Sequence, residues 1–377
     1  MHTFNFNGFE HWRDSFRFKT DVVPTFAGIS GGRTSAVVAA CSDPFVRLLF
    51  ENTGREDEKT YVFIRELDWA VRQQRRDILK ARGCEFADLA LTSDRFGITW
   101  LEYRPPVSLG DWPQKAEYAV VNFESANRTG QPFKDFMRAL YAFRQKHGAH
   151  GRHGPAASCT SCQTGTACTL HGPVSPWKKS RICTAQMKHK TAERFIERSL
   201  GLDEYTMFVG LRADEPGRVS DLKVQETAKQ TFRCPLFDLG ISKVDVLRFW
   251  SQQTFDLDLP AYRGNCDGCW LKKQADLARI MHEIPDPEFW FEMEEMYPKF
   301  GGVGFGGYRR LAAEYDVRLK IENRLRAGQD TADLEAQFPK RRRYLSVLKQ
   351  EQYRLDNPEE GVSCSCEAST NLPEEGV

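Results

Sequence analysis

Val22-Val23-Pro24-Thr25-Phe26-Ala27-Gly28-Ile29, followed by Ser30-Gly31-Gly32-Arg33-Thr34-Ser35, is the stretch whose reading decides the fold. The first part is an apolar run of strand length, and Ala36–Cys41 continues beyond the second part as a helix. Small residues between a strand and a helix let the backbone approach an anion closely, and the helix start adds free N–H groups and partial positive charge. The hydroxyls of Ser30, Thr34 and Ser35 are further donors. The loop is not a Walker A motif, which needs Lys before Ser/Thr, nor a dinucleotide G-x-G-x-x-G. Taken alone it reads equally as a glycine turn with a Ser/Thr cap.

Working outward, a second strand over Val46–Phe50 ends at Asn52-Thr53-Gly54. From Glu58 to Arg82 apolar residues recur at helical spacing (Tyr61, Ile64, Leu67, Trp69, Ile78), and Gly83 is placed to end that helix. Cys84–Leu89 reads as a third strand. Strand, helix, strand, helix, strand predicts an α/β fold, a Rossmann-like parallel sheet with helices on both faces. Residues 100–179, rich in Pro, Gly, His and Cys, break the alternation and read as an insertion at the sheet edge, with a helix over Pro132–Lys146. The pattern resumes with a helix at Thr191–Ser199 and strands at Thr206–Val209 and Thr231–Pro235. A helix over Ser242–Gln252 follows, with Ser242 and Asp245 spaced as a cap. Beyond Pro285 the chain is helical and charged, includes Lys340-Arg341-Arg342-Arg343, and ends in a polar tail with Cys364-Ser365-Cys366. The expected organisation is an N-terminal arm (1–21), a catalytic domain (22–284, insertion about 100–179) and a helical, cysteine-bearing C-terminal extension (285–377).

The 377 residues, 41% hydrophobic and 28% charged, are ordinary globular material, and a net charge of +1 excludes a bulk electrostatic argument for nucleic acid or membrane binding. The first twenty residues have no apolar core of a signal peptide, and no apolar stretch approaches the roughly 20 residues of a membrane span. A cytoplasmic protein with no membrane partner is the expectation. Eleven cysteines, an odd number, then read as metal or redox sites where they cluster. Cys41 and Cys84, alone in apolar patterns, read as core.

Ser30-Gly31-Gly32-x-x-Ser35 resembles the PP-loop of the adenine nucleotide α-hydrolase superfamily, and Phe50-Glu51-Asn52-Thr53-Gly54 is similar to its F-x-N-T-G segment. Arg181-Ile182-Cys183-Thr184 with Lys188, Val209-Gly210-Leu211-Arg212-Ala213-Asp214-Glu215 with Arg218, Cys234-Pro235-Leu236 and Gly264-Asn265-Cys266-Asp267-Gly268-Cys269 follow in the order of the phosphoadenosine phosphosulfate (PAPS) reductase-like branch. The likeness covers about residues 22–95 and 180–280. It implies a nucleotide site formed by Ser30, Gly31, Gly32, Arg33, Thr34, Ser35, Asn52, Thr53, Gly54, Gly210, Arg212 and Arg218, with Lys188 as a catalytic cation that neutralises phosphate. The implied ligand is ATP with Mg2+, or a sulfonucleotide (PAPS or APS).

An Asp-Gly turn in Cys266-Asp267-Gly268-Cys269 aims two thiols at one point. The resemblance sets Cys183 opposite this pair, with Thr184 where cluster-bearing reductases carry a second Cys, and Cys234 as a candidate fourth ligand. It thereby implies a [4Fe–4S] cluster; zinc and plain buried thiols are the alternatives. Cys159, Cys162 and Cys168 among His150, His153 and His171 have the spacing of a structural zinc site, with His171 the candidate fourth ligand. Cys364 and Cys366, in a tail too polar to bury them, are candidate reactive thiols. The reductases carry E-C-G-x-H in such a tail, and Cys-Ser-Cys-Glu departs from it.

The activity these likenesses imply first is an ATP pyrophosphatase that adenylates an acceptor for sulfur transfer, as in tRNA or DNA thiolation, with a cysteine desulfurase as sulfur donor. A sulfonucleotide reductase releasing sulfite with thioredoxin is the second reading. A non-catalytic, metal-stapled nucleic-acid-binding protein is the third. The Lys340–Arg343 run is a candidate polymer contact or simply a solvated helix face.

Overall fold

Phe26 and Ala27 are adjacent in sequence but join apolar clusters on opposite faces of a sheet, as do Leu48 and Leu49, Trp100 and Leu101, and Met207 and Phe208. Strand side chains alternate in this way, and these strands are apolar in both phases, so each face must be covered by helices. The computed structural model describes residues 3–15, 23–147, 183–264, 266–270, 272–297 and 307–336. It divides into two compact units. Among the described residues, the first takes 3–143 and 183–259, and the second takes 144–147, 260–297 and 307–336.

The first unit holds a six-stranded sheet in the order β4-β3-β2-β1-β5-β6. The strands are β1 (Thr25–Gly28), β2 (Arg47–Asn52), β3 (Ile98–Arg104), β4 (Glu117–Val121), β5 (Tyr205–Phe208) and β6 (Gln230–Arg233). All pairings are parallel except that of β4, which closes one edge antiparallel to β3. The fold class is therefore α/β, a mostly parallel sheet flanked by helices.

One face is covered by the helices Arg33–Cys41, Glu58–Ala81 and Lys243–Ser251, and by Phe9 and Trp12 of the N-terminal segment. The other is covered by Lys190–Leu200 and, through Leu222, by Pro216–Lys223. Each Phe, Leu or Val shut away in these layers stabilises the fold by about 1.5–3 kcal/mol. Gly83 (φ +73°) ends the long helix Glu58–Ala81. Ser242 and Asp245 form a reciprocal capping box at Lys243–Ser251, as the spacing predicts.

The third strand lies elsewhere than expected. Cys84–Leu89 runs through turns into a 3-10 helix, Ala87–Leu91, which leaves Phe86 and Leu89 exposed, and the strand is Ile98–Arg104. Cys84–Leu89 is apolar enough for a strand, but Ala87, Ala90 and Phe96 close instead a small cluster against Leu79. Ile-Thr-Trp-Leu-Glu-Tyr-Arg, β-branched and aromatic, is the segment that fits the pleated edge of β2. The start of the segment read as an insertion is thus sheet, and it continues through β4 to the helix Gln131–His147. Cys41 is buried, and Cys84 is half-buried against the small cluster.

In the second unit the helices Gln274–Glu283, Glu288–Met296, Tyr308–Arg326 and Ala332–Glu335 follow the turn that carries Cys266 and Cys269.

Candidate nucleotide-binding site

Chain order reverses at β1, with β2 on one side and β5 on the other. In open α/β sheets the crevice beyond the carboxyl ends of two such strands is where ligands bind. The loop 29–32 leaves β1 at that point. Gly31 turns it with φ +80°, and Gly32 (φ −93°) is the N-cap of the helix Arg33–Cys41. Its N-cap Gly32 has no side chain to cap it, and among the described residues no side chain accepts from its first-turn N–H groups. Ser35 is fully buried and braces the loop, accepting from Ser30 N (3.1 Å) and donating to Gly32 O (3.1 Å).

The loop after β5 docks directly on this helix start. A Cβ on Gly210 would stand 3.1 Å from both Cα and N of Ser35, so the contact is backbone against backbone. Arg212 reaches Thr34 Oγ1 at 3.4 Å and pairs with Asp214 through two 2.9 Å hydrogen bonds and with Glu215 at 3.2 Å. Arg218 pairs with the same buried Glu215. Burial works to raise the Asp214 carboxyl, but the hydrogen bonds and charge of Arg212 outweigh it and hold the group below its ordinary range. The two guanidinium groups are thus matched by two carboxylates. Arg33 is matched too: its guanidinium makes a bidentate pair with Asp256 (2.7 and 2.6 Å). Asp256 lies in a strap where Phe255, Leu257 and Leu259 are buried, while Asp256 and Asp258 reach Arg33 and Lys59.

Asn52, Thr53 and Gly54 shape the end of β2. Asn52 donates to Glu102 Oε1 (2.8 Å) and Asn127 O (2.9 Å) and accepts from Tyr61 OH and Gly54 N (both 2.9 Å). Thr53 Oγ1 donates to Glu56 Oε1 at 2.8 Å. Gly54 has φ +81°, and a Cβ there would meet Asn127 Oδ1 at 2.7 Å. These side chains are committed to the scaffold, so what this segment offers a ligand is its shape.

A cleft opens beside the loop, between the sheet and the turn that precedes Lys190–Leu200. It is an open cleft lined by Gly28, Ser30, Glu51, Lys188, His189 and the apolar Ala192, Met207 and Val209. Gly28, Glu51, Met207 and Val209 lie in phase with Phe26 and Leu49, on the face covered by that helix. A Cβ on Gly28 would meet nothing within 4 Å. Lys188 thus joins Ser30 on one cleft.

The cysteines are divided between the units. Cys183, half-buried, begins the π-helical turn Thr184–His189, and Cys234 is 1% exposed inside the apolar cluster below β5 and β6. Cys266 and Cys269 share a turn of the second unit, closed by Cys269 N donating to Cys266 O (3.4 Å). Asp267 Oδ1 accepts from Gly268 N (2.7 Å) and Trp290 Nε1 (2.8 Å), Tyr308 OH donates to Gly268 O, and buried Lys272 donates to the carbonyls of Cys266 (2.5 Å) and Asp267 (3.2 Å). A Cβ on Gly268 would overlap Trp290. The turn is thus braced by Trp290, Tyr308 and Lys272. Among the described residues no group of three His, Cys, Asp or Glu side chains converges to hold a metal. Cys159, Cys162, Cys168 and His171, the tail thiols Cys364 and Cys366, and Lys340–Arg343 lie outside the described residues. Among those described, no helix is long and apolar enough to cross a membrane.

No family model matches the chain, and no solved structure matches it. An uncharacterized nin region protein of Escherichia phage lambda, ORF290, is 26% identical over 167 residues, which make up 41% of this chain and 55% of that protein. The chain therefore spans about half the length of this relative.

Asp256, Glu51, Gly28, His189, Lys272, Trp290 and Tyr308 take their places at these sites from the fold. The alternation Phe255-Asp256-Leu257-Asp258-Leu259 carries a strap-like signal that was available. For the others the neighbours that give them meaning are distant in sequence.

Proposed function

We propose that the first unit binds an adenine nucleotide in the crevice between β1 and β5 and uses it to activate an acceptor for sulfur transfer. The observation that carries this is the uncapped helix start behind Gly31-Gly32, at the switch point of the sheet, with Gly210 seated against its backbone. The phosphates of Mg2+–ATP lie on the N–H groups of that helix start. Because Arg33, Arg212 and Arg218 are already matched by carboxylates, the backbone supplies most of the anion's stabilisation, and Lys188 lines the neighbouring cleft. The nucleoside fills the partly apolar cleft over Gly28.

An oxygen of the acceptor, a tRNA or DNA group, attacks the α-phosphorus. The bond to the β-phosphate breaks, and pyrophosphate leaves with the electron pair. A cysteine desulfurase leaves a persulfide on Cys364 or Cys366, whose terminal sulfur displaces AMP from the activated acceptor. The other tail thiol then cleaves the acceptor–S–S–Cys bond, releasing the thiolated acceptor and a Cys364–Cys366 disulfide that an external dithiol reduces. The resemblance of the loop and of the 209–218 segment to PAPS reductase-like PP-loop proteins supports the nucleotide assignment.

The test is incubation of the pure protein with each nucleotide. Pyrophosphate release from ATP in the presence of an acceptor RNA or DNA is the expected result. Thioredoxin-dependent sulfite release from a sulfonucleotide would replace this reading with the reductase, and binding of neither nucleotide would overturn both.

A further inference from the structure

His189 ends the π-helical turn Thr184–His189 and lines the same cleft as Lys188, together with Gly28, Glu51, Met207 and Val209. Single π turns inside helices are concentrated at functional sites. We propose that His189 is a ligand-contacting residue that recognises the uncharged, hydrogen-bonding part of the bound nucleotide, its base or sugar, and not its phosphates. This rests on the nucleotide reading above and adds to it a residue that decides specificity.

Two features point to this division of labour. Burial, with Lys188 and Lys190 alongside, pushes the imidazole down to about 4, so at neutral pH it is an uncharged ring with one donor and one acceptor. It therefore offers phosphate no charge, whereas Lys188 beside it does. The cleft that it lines is also largely apolar, with Ala192, Met207 and Val209 in its wall, which favours a flat uncharged ring over an anion. Gly28 makes the room, since a side chain there would project into open space under the turn.

Calorimetric titration with ATP and with inorganic tripolyphosphate separates these roles. In the full chain, His189→Ala is expected to weaken ATP binding by about 3- to 10-fold, the range for one neutral hydrogen bond. It should leave tripolyphosphate binding unchanged, and His189→Gln should recover most of the loss. Gly28→Val, which fills the cleft from the sheet side, should lose ATP and keep tripolyphosphate. If His189→Ala does not fold, the contrast between His189→Gln and His189→Phe, which preserve volume, carries the same comparison. Equal ATP affinity in wild type and His189→Ala overturns the proposal while leaving the nucleotide reading intact, as does an equal loss for both ligands. A wild-type protein that binds neither ligand overturns both.

Discussion

Replacing Gly31 by Ala should destabilise the protein as well as its ligand site, and the cost can be resolved into two parts. Gly31 has φ +80°, where an L residue is strained by about 1–2 kcal/mol. The new Cβ would stand 2.5 Å from Thr60 Cγ2, on a fully buried residue of the helix Glu58–Ala81. Relieving that overlap in a packed core costs about 1–3 kcal/mol. The total is about 2–5 kcal/mol. Gly32, with φ −93°, carries no such backbone strain. Thr60 offers a clean partner for a double-mutant cycle, because its Oγ1 is buried and makes no hydrogen bond among the described residues. Thr60→Ala removes Cγ2, so in the Gly31→Ala background it should recover the steric part, about 1–3 kcal/mol, and leave the backbone part. Urea unfolding followed by circular dichroism gives all four free energies, with unchanged m-values as the check on two-state behaviour. A Gly31→Ala protein within about 0.5 kcal/mol of wild type, or a coupling to Thr60→Ala below that size, would refute the packing described here.

Ser242→Ala should cost about 1 kcal/mol through the lost cap at Lys243–Ser251 and leave ATP affinity unchanged, both read from the same unfolding and titration experiments. If Cys266 and Cys269 ligate iron, as the family resemblance implies, anaerobically purified protein is brown and carries more iron than zinc. Cys266→Ala should then bleach the visible absorption and release iron in a metal assay, whereas a colourless protein holding zinc alone assigns the turn to the other metal.

Much of this molecule is written locally. The strand–loop–helix of residues 25–41, the long helix that stops at Gly83, and the capping box at Ser242 each depend on periodicity or on a residue with one conformational use, and each lies within the stretch those signals mark. The clustering of loop 30–35 with the segment from Gly210 to Arg218 was legible only as a resemblance, since nothing local ties segments that far apart. Tertiary structure decided the rest. Cys84–Leu89 and Ile98–Arg104 are both apolar enough for a strand, and the choice falls to the one that can pair along β2 and bury both its faces. Whether an arginine near the loop is a free cation depends on partners such as Asp256, 223 residues from Arg33. Gly268 looks like a simple turn residue until Trp290 is packed against its Cα. Local pattern fixes the elements because each turn of helix or stretch of strand is stabilised by its own neighbours. The pairing of strands, the matching of buried charge and the space left for a ligand depend on residues that only the folded chain brings together.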